Sequence, residues 1–207
     1  MTNEIHHRSE RYLFCMQEIK GRYRSTVSEF SNFEASDSQF VQHIEFAALQ
    51  LRKMIEVIGF ACMTADLEQY QSVRPAFVKD WNFSDIMKRL RNLNPRCVPI
   101  PILLIGQTDQ PKNYHLLANE QASQTVDILI ESHGRLGTLM HADNPFGNRP
   151  NYDDEYRNLV KLSFDIKELV WRHIYLQAEN KGGYIVEMGN VSDDEVRIKL
   201  FEAQDVL

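Results

Sequence analysis

The chain contains 207 residues, of which 43% are hydrophobic and 25% are charged; these values are typical of one globular domain with its own core. Its net charge of −6 excludes a protein that coats nucleic acid non-specifically, but it permits a local basic site. Three cysteines without a CxxC pair exclude a disulfide framework and a zinc ribbon. No apolar run reaches the roughly 20 residues of a membrane span. We expect a cytoplasmic protein with no membrane partner, no metal and no cofactor.

Apolar residues at helical spacing predict a helical bundle over most of the chain. The second predicted helix has the widest apolar stripe, and its polar face carries Arg52, Lys53 and Glu56. Residues 69–81 are irregular and rich in aromatic side chains. The predicted helices span about 8–30, 37–65, 84–93, 123–142 and 153–171.

Strands are predicted in two places. Near the C-terminus, alternating apolar and polar residues separated by Gly- and Asn-bearing turns predict an antiparallel meander over 174–178, 184–188 and 196–201. An earlier strand is predicted over 98–105, where Pro99 and Pro101 confine it to a sheet edge or an extended crossover. A turn at 107–112 would let residues 114–117 pair back with it.

Together these elements predict a mainly α fold, with a bundle of about four main helices and a small C-terminal antiparallel β-meander. The bundle covers residues 1–172, with an irregular or extended insertion at about 94–118. The sheet covers residues 173–207 and packs on the bundle within the same structural unit.

The residues between Ser132 and Gly147 carry the candidate chemistry. Arg135 and His141 lie six residues apart near the end of the predicted helix 123–142. Asn144 precedes a proline and ends that helix, because a residue before proline avoids helical geometry. Arginine can stabilise a pentavalent phosphate through its planar donors, and histidine can move a proton.

Two glycines, Gly134 and Gly137, flank this arginine. Each weakens the helix by about 1 kcal/mol relative to alanine. They also remove side chains from the surface beside Arg135, which permits close approach of a second helix or of a phosphate backbone.

A helical bundle with Arg-x(4–6)-His at the end of a late helix resembles the HEPN domains of prokaryotes. Arg135 and His141 match that motif as Arg-x5-His, and the resemblance covers about residues 8–171. It implies a metal-independent endoribonuclease of the toxin or phage-defence type, in which the RNA 2′-hydroxyl attacks the adjacent phosphate and leaves a 2′,3′-cyclic phosphate. By this resemblance His141 would be the general acid/base, Arg135 would stabilise the phosphorane, and Asn144 would orient the histidine or the phosphate.

The resemblance also implies partners: an RNA substrate, a second copy of the chain forming a homodimer, and a protein that neutralises or activates the enzyme. The chain departs from the family pattern at Leu136, where active members commonly carry a polar residue after the arginine. This departure and the acidic charge favour the alternative of a non-catalytic module that binds nucleic acid, a nucleotide or a partner protein. A purely structural dimerising bundle is a third possibility.

Each candidate residue also has a structural interpretation. Arg135 could pair with Glu131 one helical turn earlier, and His141 could cap the last carbonyls of its helix. His133 lies on the apolar stripe and is expected to be a core histidine. Cys15 and Cys62 are expected to be small core residues.

A basic stretch supplies the predicted RNA-binding residues. It contains four cations within nine residues and no acid: Lys88, Arg89, Arg91 and Arg96. The alternative is a solvated helix face. Trp81 and Phe83 lie just upstream, where they could stack on bases or belong to the core.

Overall fold

The computed structural model describes residues 2–31, 39–105, 113–116, 122–142, 146–147 and 150–202. The predicted mainly helical fold with a small antiparallel sheet is confirmed. The helices are α1 (Thr2–Ser31), α2 (Phe40–Ala65), α3 (Leu67–Val73), α4 (Phe83–Leu93), α5 (Ala122–Thr138) and α6 (Tyr152–Val170). The strands are β1 (Ile100–Ile105), β2 (Asn113–Leu116), β3 (Arg172–Leu176), β4 (Gly183–Glu187) and β5 (Arg197–Phe201). Within these described residues, no helix combines the length and apolar composition needed to cross a bilayer.

Helix α2 is the centre of the bundle. It packs against α1, α4, α5 and α6, because its apolar stripe is wide enough to face several neighbours at once. The buried stripe includes Ile44, Ala47, Ala48, Leu51, Met54, Ile55, Ile58, Ala61 and Cys62. The bundle core continues into the sheet through Tyr175, Tyr184 and Val186, so helices and strands share this apolar cluster. A second, smaller cluster lies within the sheet and contains Ile100, Ile102 and Ile174.

The sheet has the order β2-β1-β3-β4-β5, with every neighbouring pair antiparallel. The prediction that prolines confine the 98–105 strand to an edge or a crossover was wrong, because β1 lies between β2 and β3. Its two neighbours use different parts of the strand: residues 100–101 pair with β3, and residues 102–105 pair with β2. Pro101 lies opposite His173 in this short β1–β3 ladder.

The hairpin partner of β1 was predicted correctly, with β2 pairing back one residue before the predicted segment. The turn predicted at 107–112 lies outside the described residues. Two strands of the sheet therefore come from the insertion at 94–118, and the other three follow α6. The sheet is thus assembled from an insertion in the middle of the bundle sequence and from the segment that follows the bundle.

A buried polar cluster joins the bundle to the sheet. The carboxylate of Asp66 accepts hydrogen bonds of 2.8 Å each from Asn94 Nδ2, the Tyr175 hydroxyl and the backbone N–H of Ala178. Burial raises the pKa of Asp66, against the lowering effect of those donors. All three donors lie in elements other than α2, so this one carboxylate ties α2 to the strand region.

A second buried pair lies beside this cluster. His173 Nδ1 lies 2.7 Å from the carbonyl oxygen of Val170, and Nε2 lies 2.9 Å from the Tyr12 hydroxyl. Since the carbonyl can only accept, Nδ1 carries the proton and Nε2 accepts from the tyrosine. Burial lowers the pKa of His173 to about 4, so the imidazole is neutral at neutral pH.

Two basic residues of α1 hold the connection between β4 and β5. Lys20 is buried, and its Nζ donates to Met188 O, Asp193 Oδ1 and Glu195 O at 2.5–2.8 Å. One turn later Arg24 binds the same loop. The turn at Asp193 is therefore a docking point for α1, since a buried ammonium is tolerated only when its donors are satisfied.

Candidate functional site

Helix α5 ends earlier than predicted. Its last residue is Thr138 rather than residue 142, and the backbone N–H of His141 bonds to Thr138 O at 3.3 Å in the turn that follows. The low helix propensity of the glycines at 134 and 137 explains the early end. His141 therefore lies beyond the helix, where its position does not follow helical periodicity.

Arg135 is half exposed, with 48% of its side chain accessible to solvent. Its Nη2 donates to Glu155 Oε2 at 2.5 Å, so the guanidinium joins α5 to the first turn of α6. The alternative partner considered from the sequence was Glu131, but the observed partner is 20 residues further along the chain. This contact uses one nitrogen of a group that carries five donor hydrogens.

His141 is exposed to solvent. Among the residues that the structure describes, none forms a hydrogen bond or an ion pair with its imidazole, so no side-chain cap of α5 is seen there. No hydrogen bond joins His141 to Arg135 in this part of the chain either. The third predicted site residue, Asn144, lies outside the described residues, and its role stays a prediction.

The surface beside Arg135 is open on one side and filled on the other. A Cβ added at Gly134 would meet nothing within 4 Å. A Cβ at Gly137 would collide with Arg52 Nη1, which donates to His133 O at 2.8 Å. Gly134 thus leaves space at the surface, whereas Gly137 makes room for the Arg52 side chain of α2.

A groove of about 250 Å³ runs between α5 and α6, and Arg135 lies in it beside Glu155. Leu139, Leu159 and Leu162 supply apolar walls. Leu136 also borders the groove but is only 2% exposed. The residue that departs from the family pattern therefore packs into the core, where a polar side chain would need a buried partner.

His133 is not simply a core residue. Its Nε2 lies 3.1 Å from Glu56 Oε1, and its ring lies 5.2 Å from that of Phe83. Burial lowers the pKa of His133, although the bond to Glu56 opposes this. Burial also raises the pKa of Glu56, but the bonds from His133 and Lys53 outweigh it and the net shift is downward. The predicted polar face of α2 is thus partly an interface with α5.

The structure gives different environments to the four predicted RNA-binding cations, Lys88, Arg89, Arg91 and Arg96. Arg89 Nη1 lies 3.2 Å from Asp80 Oδ2, and Arg91 Nη1 lies 2.7 Å from Asp127 Oδ1. The side chains of Lys88 and Arg96 are exposed. Arg89 and Arg91 of the predicted basic patch are therefore already paired with carboxylates from other elements.

Phe83 and Trp81, the two aromatic residues upstream of this patch, differ in burial. Phe83 is buried against Gly59 of α2, where a Cβ on the glycine would lie 2.8 Å from the phenylalanine ring. Trp81 is 78% exposed. Of the two possibilities given by the sequence, Phe83 is a core residue, and Trp81 is available at the surface.

Within the described residues, no cluster of three or more His, Cys, Asp or Glu side chains could hold a metal ion. The prediction that Cys15 and Cys62 are core residues is confirmed, because both are buried and reduced. Burial raises the pKa of the Cys15 thiol to about 12, which removes the thiolate needed of a nucleophile.

Comparison with protein-family models, with curated proteins and with solved structures found no match to this chain. The sequence did not predict the contacts of Glu155 with Arg135 and of Glu56 with His133. These partners lie 20 and 77 residues apart along the chain, and no local sequence pattern links them.

Proposed function

We propose that the chain is a metal-independent endoribonuclease of the HEPN type. The observation that carries the proposal is the exposure of both motif side chains at one end of α5. Arg135 is half exposed, and His141 is exposed and without a partner among the described residues. Polar groups whose hydrogen-bonding capacity the fold leaves unused are available to a ligand.

In the proposed reaction, the imidazole of His141 accepts the proton of an RNA 2′-hydroxyl. The oxygen attacks the adjacent phosphorus, the bond to the 5′-oxygen breaks, and a proton is returned to that oxygen. The products are a 2′,3′-cyclic phosphate and a 5′-hydroxyl. Arg135 donates to the phosphorane oxygens, where negative charge increases in the transition state.

Glu155 supports this role of Arg135. A carboxylate bound to one guanidinium nitrogen fixes the orientation of the planar group, and the remaining donors can face the phosphate. Asn144 is proposed to orient His141 or the phosphate.

A homodimer is part of the proposal. No hydrogen bond joins Arg135 and His141 within the described part of one chain, and a cleft shared by two copies would supply both groups to one phosphate. The proposal includes a regulatory partner, since an unrestrained ribonuclease is toxic to its cell. It also includes a cytoplasmic location.

The test is cleavage of RNA by the purified protein in EDTA, with analysis of the product ends. We expect products ending in 2′,3′-cyclic phosphate, and loss of cleavage by at least about 100-fold in Arg135→Ala and His141→Ala, as is typical when a general acid/base is removed. The matched controls are Arg157→Ala and His7→Ala, which remove an exposed arginine and an exposed histidine elsewhere. Equal cleavage by His141→Ala and the parent contradicts the assignment of His141.

The second candidate function is a binding module without catalysis. Two observations favour it: Leu136 packs into the core, and the charge of Arg135 is partly neutralised by Glu155. This function predicts that the protein binds RNA or a nucleotide in EDTA without cleaving it, and that Arg135→Ala weakens binding. Cleavage that requires both motif residues excludes it.

A further inference from the structure

Trp81 is a large aromatic side chain that the fold leaves 78% exposed. A large aromatic side chain is rarely left so accessible, because burying it stabilises a protein. Val78, in the preceding 3₁₀ turn, is also exposed.

The backbone on both sides of Trp81 is held in place. Before it, Asp80 accepts from the Tyr70 hydroxyl at 2.8 Å and from Arg74 Nε at 2.9 Å. After it, the side chain of Asn82 caps α4 by accepting from the N–H of Asp85 at 3.1 Å. The exposure of Trp81 is therefore a property of an anchored segment.

The stretch of sequence around Trp81 is rich in basic residues. Residues 70–96 contain six lysines and arginines and two aspartates, in a chain whose net charge is −6. Lys79 and Lys88 are exposed, and neither forms an ion pair within the described part of the chain. Lys79 comes two residues before Trp81, and Lys88 lies about 7.5 Å along the helix axis from the first residue of α4. A polyanion that also offers a planar face could contact all three side chains.

Trp81 lies at the same end of the bundle as the Arg135–His141 segment. Helices α4 and α5 are antiparallel neighbours: Phe83 contacts His133 at one end, and Arg91 bonds to Asp127 at the other. The start of α4, which Trp81 precedes, is therefore level with the last turns of α5.

We propose that Trp81 is a stacking platform for an unpaired base of single-stranded RNA, with Lys79 and Lys88 contacting the flanking phosphates. This inference rests on the proposed function and names its substrate class. A base presents its face to a tryptophan only when it is unstacked, so a duplex cannot use the site. The position of Trp81 directs the strand toward the end of α5.

The test measures binding of labelled RNA in EDTA by the full chain carrying His141→Ala, which prevents cleavage. The probes are an unstructured 12-nucleotide RNA and the same sequence as a blunt duplex. We expect Trp81→Ala to weaken binding of the single strand by about 5- to 150-fold, the usual range for one base–aromatic stack. Trp81→Phe should retain most of the affinity, and the neighbouring control Val78→Ala should retain all of it.

Tryptophan emission gives a second readout. The single strand should quench the emission of the parent, and this quenching should disappear in Trp81→Phe although binding remains. Equal affinity of Trp81→Ala and Val78→Ala overturns the inference, and so does absence of single-strand binding or a preference for the duplex. If an otherwise native Trp81→Ala chain cleaves single-stranded RNA at the normal rate, the stacking inference is wrong and the proposed catalysis stands. If RNA stacks on Trp81 but the native chain cleaves no RNA, the proposed catalysis is wrong and the stacking inference stands.

Discussion

Polar side chains occur in two contrasting settings in this protein. At the junction of bundle and sheet, Asp66 and His173 are buried, and each is hydrogen-bonded to partners from other elements. At the end of α5, Arg135 is half exposed with one ion-pair partner, and His141 has no side-chain partner among the described residues. The same kinds of residue thus stabilise the fold in one region and face solvent in the other.

This difference separates stability from function. A buried polar group whose donors and acceptors are all used contributes to the unique packing of the core, and its loss leaves unsatisfied groups. An exposed group with unused hydrogen-bonding capacity contributes little to stability and can bind a ligand. Substitutions of the buried polar residues should therefore lower the free energy of unfolding. Substitutions at the end of α5 should change RNA cleavage and leave the free energy of unfolding almost unchanged.

The largest effect on stability is expected for Asp66→Ala. It removes the carboxylate that accepts from Asn94, Tyr175 and the N–H of Ala178. Asn94 and Tyr175 keep carbonyl acceptors at 2.9 and 3.3 Å, whereas the N–H of Ala178 loses its partner. Since a hydrogen bond to a charged group contributes about 1.5–3 kcal/mol and a buried donor without a partner costs about 1–3 kcal/mol, we expect the free energy of unfolding in urea to fall by about 3–5 kcal/mol. Asp165→Ala, which removes an exposed partner of Lys161, is the control and should cost about 0.5 kcal/mol or less. Similar losses in both variants would contradict the distinction between the two regions.

The second prediction concerns pH. Burial lowers the pKa of His173 to about 4, against about 6.5 in an unfolded chain. As the pH falls from about 6.5 to about 4, the unfolded chain binds a proton that the folded chain does not, so the folded state loses up to about 3 kcal/mol of stability. Urea unfolding at several pH values should show this loss in the parent and a flatter profile in His173→Gln. Parallel profiles would show that another group is responsible.

The glycines at the end of α5 give a smaller effect. Gly134→Ala meets open space and should raise the free energy of unfolding by about 0.5–1 kcal/mol through helix propensity. Gly137→Ala displaces Arg52 from His133 O, and the lost bond should cancel most of that gain. Thermal unfolding of the two variants measures the difference. A larger gain in the free energy of unfolding for Gly137→Ala than for Gly134→Ala would show that the bond from Arg52 to His133 O does not stabilise the fold.

The smallest effect on stability is expected at the candidate site itself. Arg135→Ala breaks a half-exposed ion pair, and His141→Ala removes a side chain without a described partner. Each should change the free energy of unfolding by about 0.5 kcal/mol or less. A loss of several kcal/mol in either variant would make its effect on RNA cleavage uninterpretable and would assign that residue to the fold.

The local parts of the structure could be predicted from the sequence. Helical spacing located α2 and α6 to within about three residues, and alternation with Gly-bearing turns located β3, β4 and β5 to within about two. The errors arose where a neighbour decides the outcome. Proline chemistry predicted an edge position for β1, but only part of that strand pairs with β3.

The candidate site was predicted as residue types but not as an arrangement. The motif segment was identified from Arg135, His141 and the glycines at 134 and 137. The sequence did not indicate that Glu155 holds the arginine, or that α5 ends before the histidine. It also could not separate Trp81 from Phe83, because burial depends on which neighbours reach each side chain.

The sequence by itself determined the mainly helical class, the positions of the long helices and the terminal meander, because these follow from periodicities of a few residues. Only the tertiary structure decided which charges are partners. Lys20 with Asp193, and Asp66 with Tyr175, are separated by more than 100 residues. Such contacts form only after the chain has packed, since burial is what makes an unpaired charge costly and a particular partner necessary.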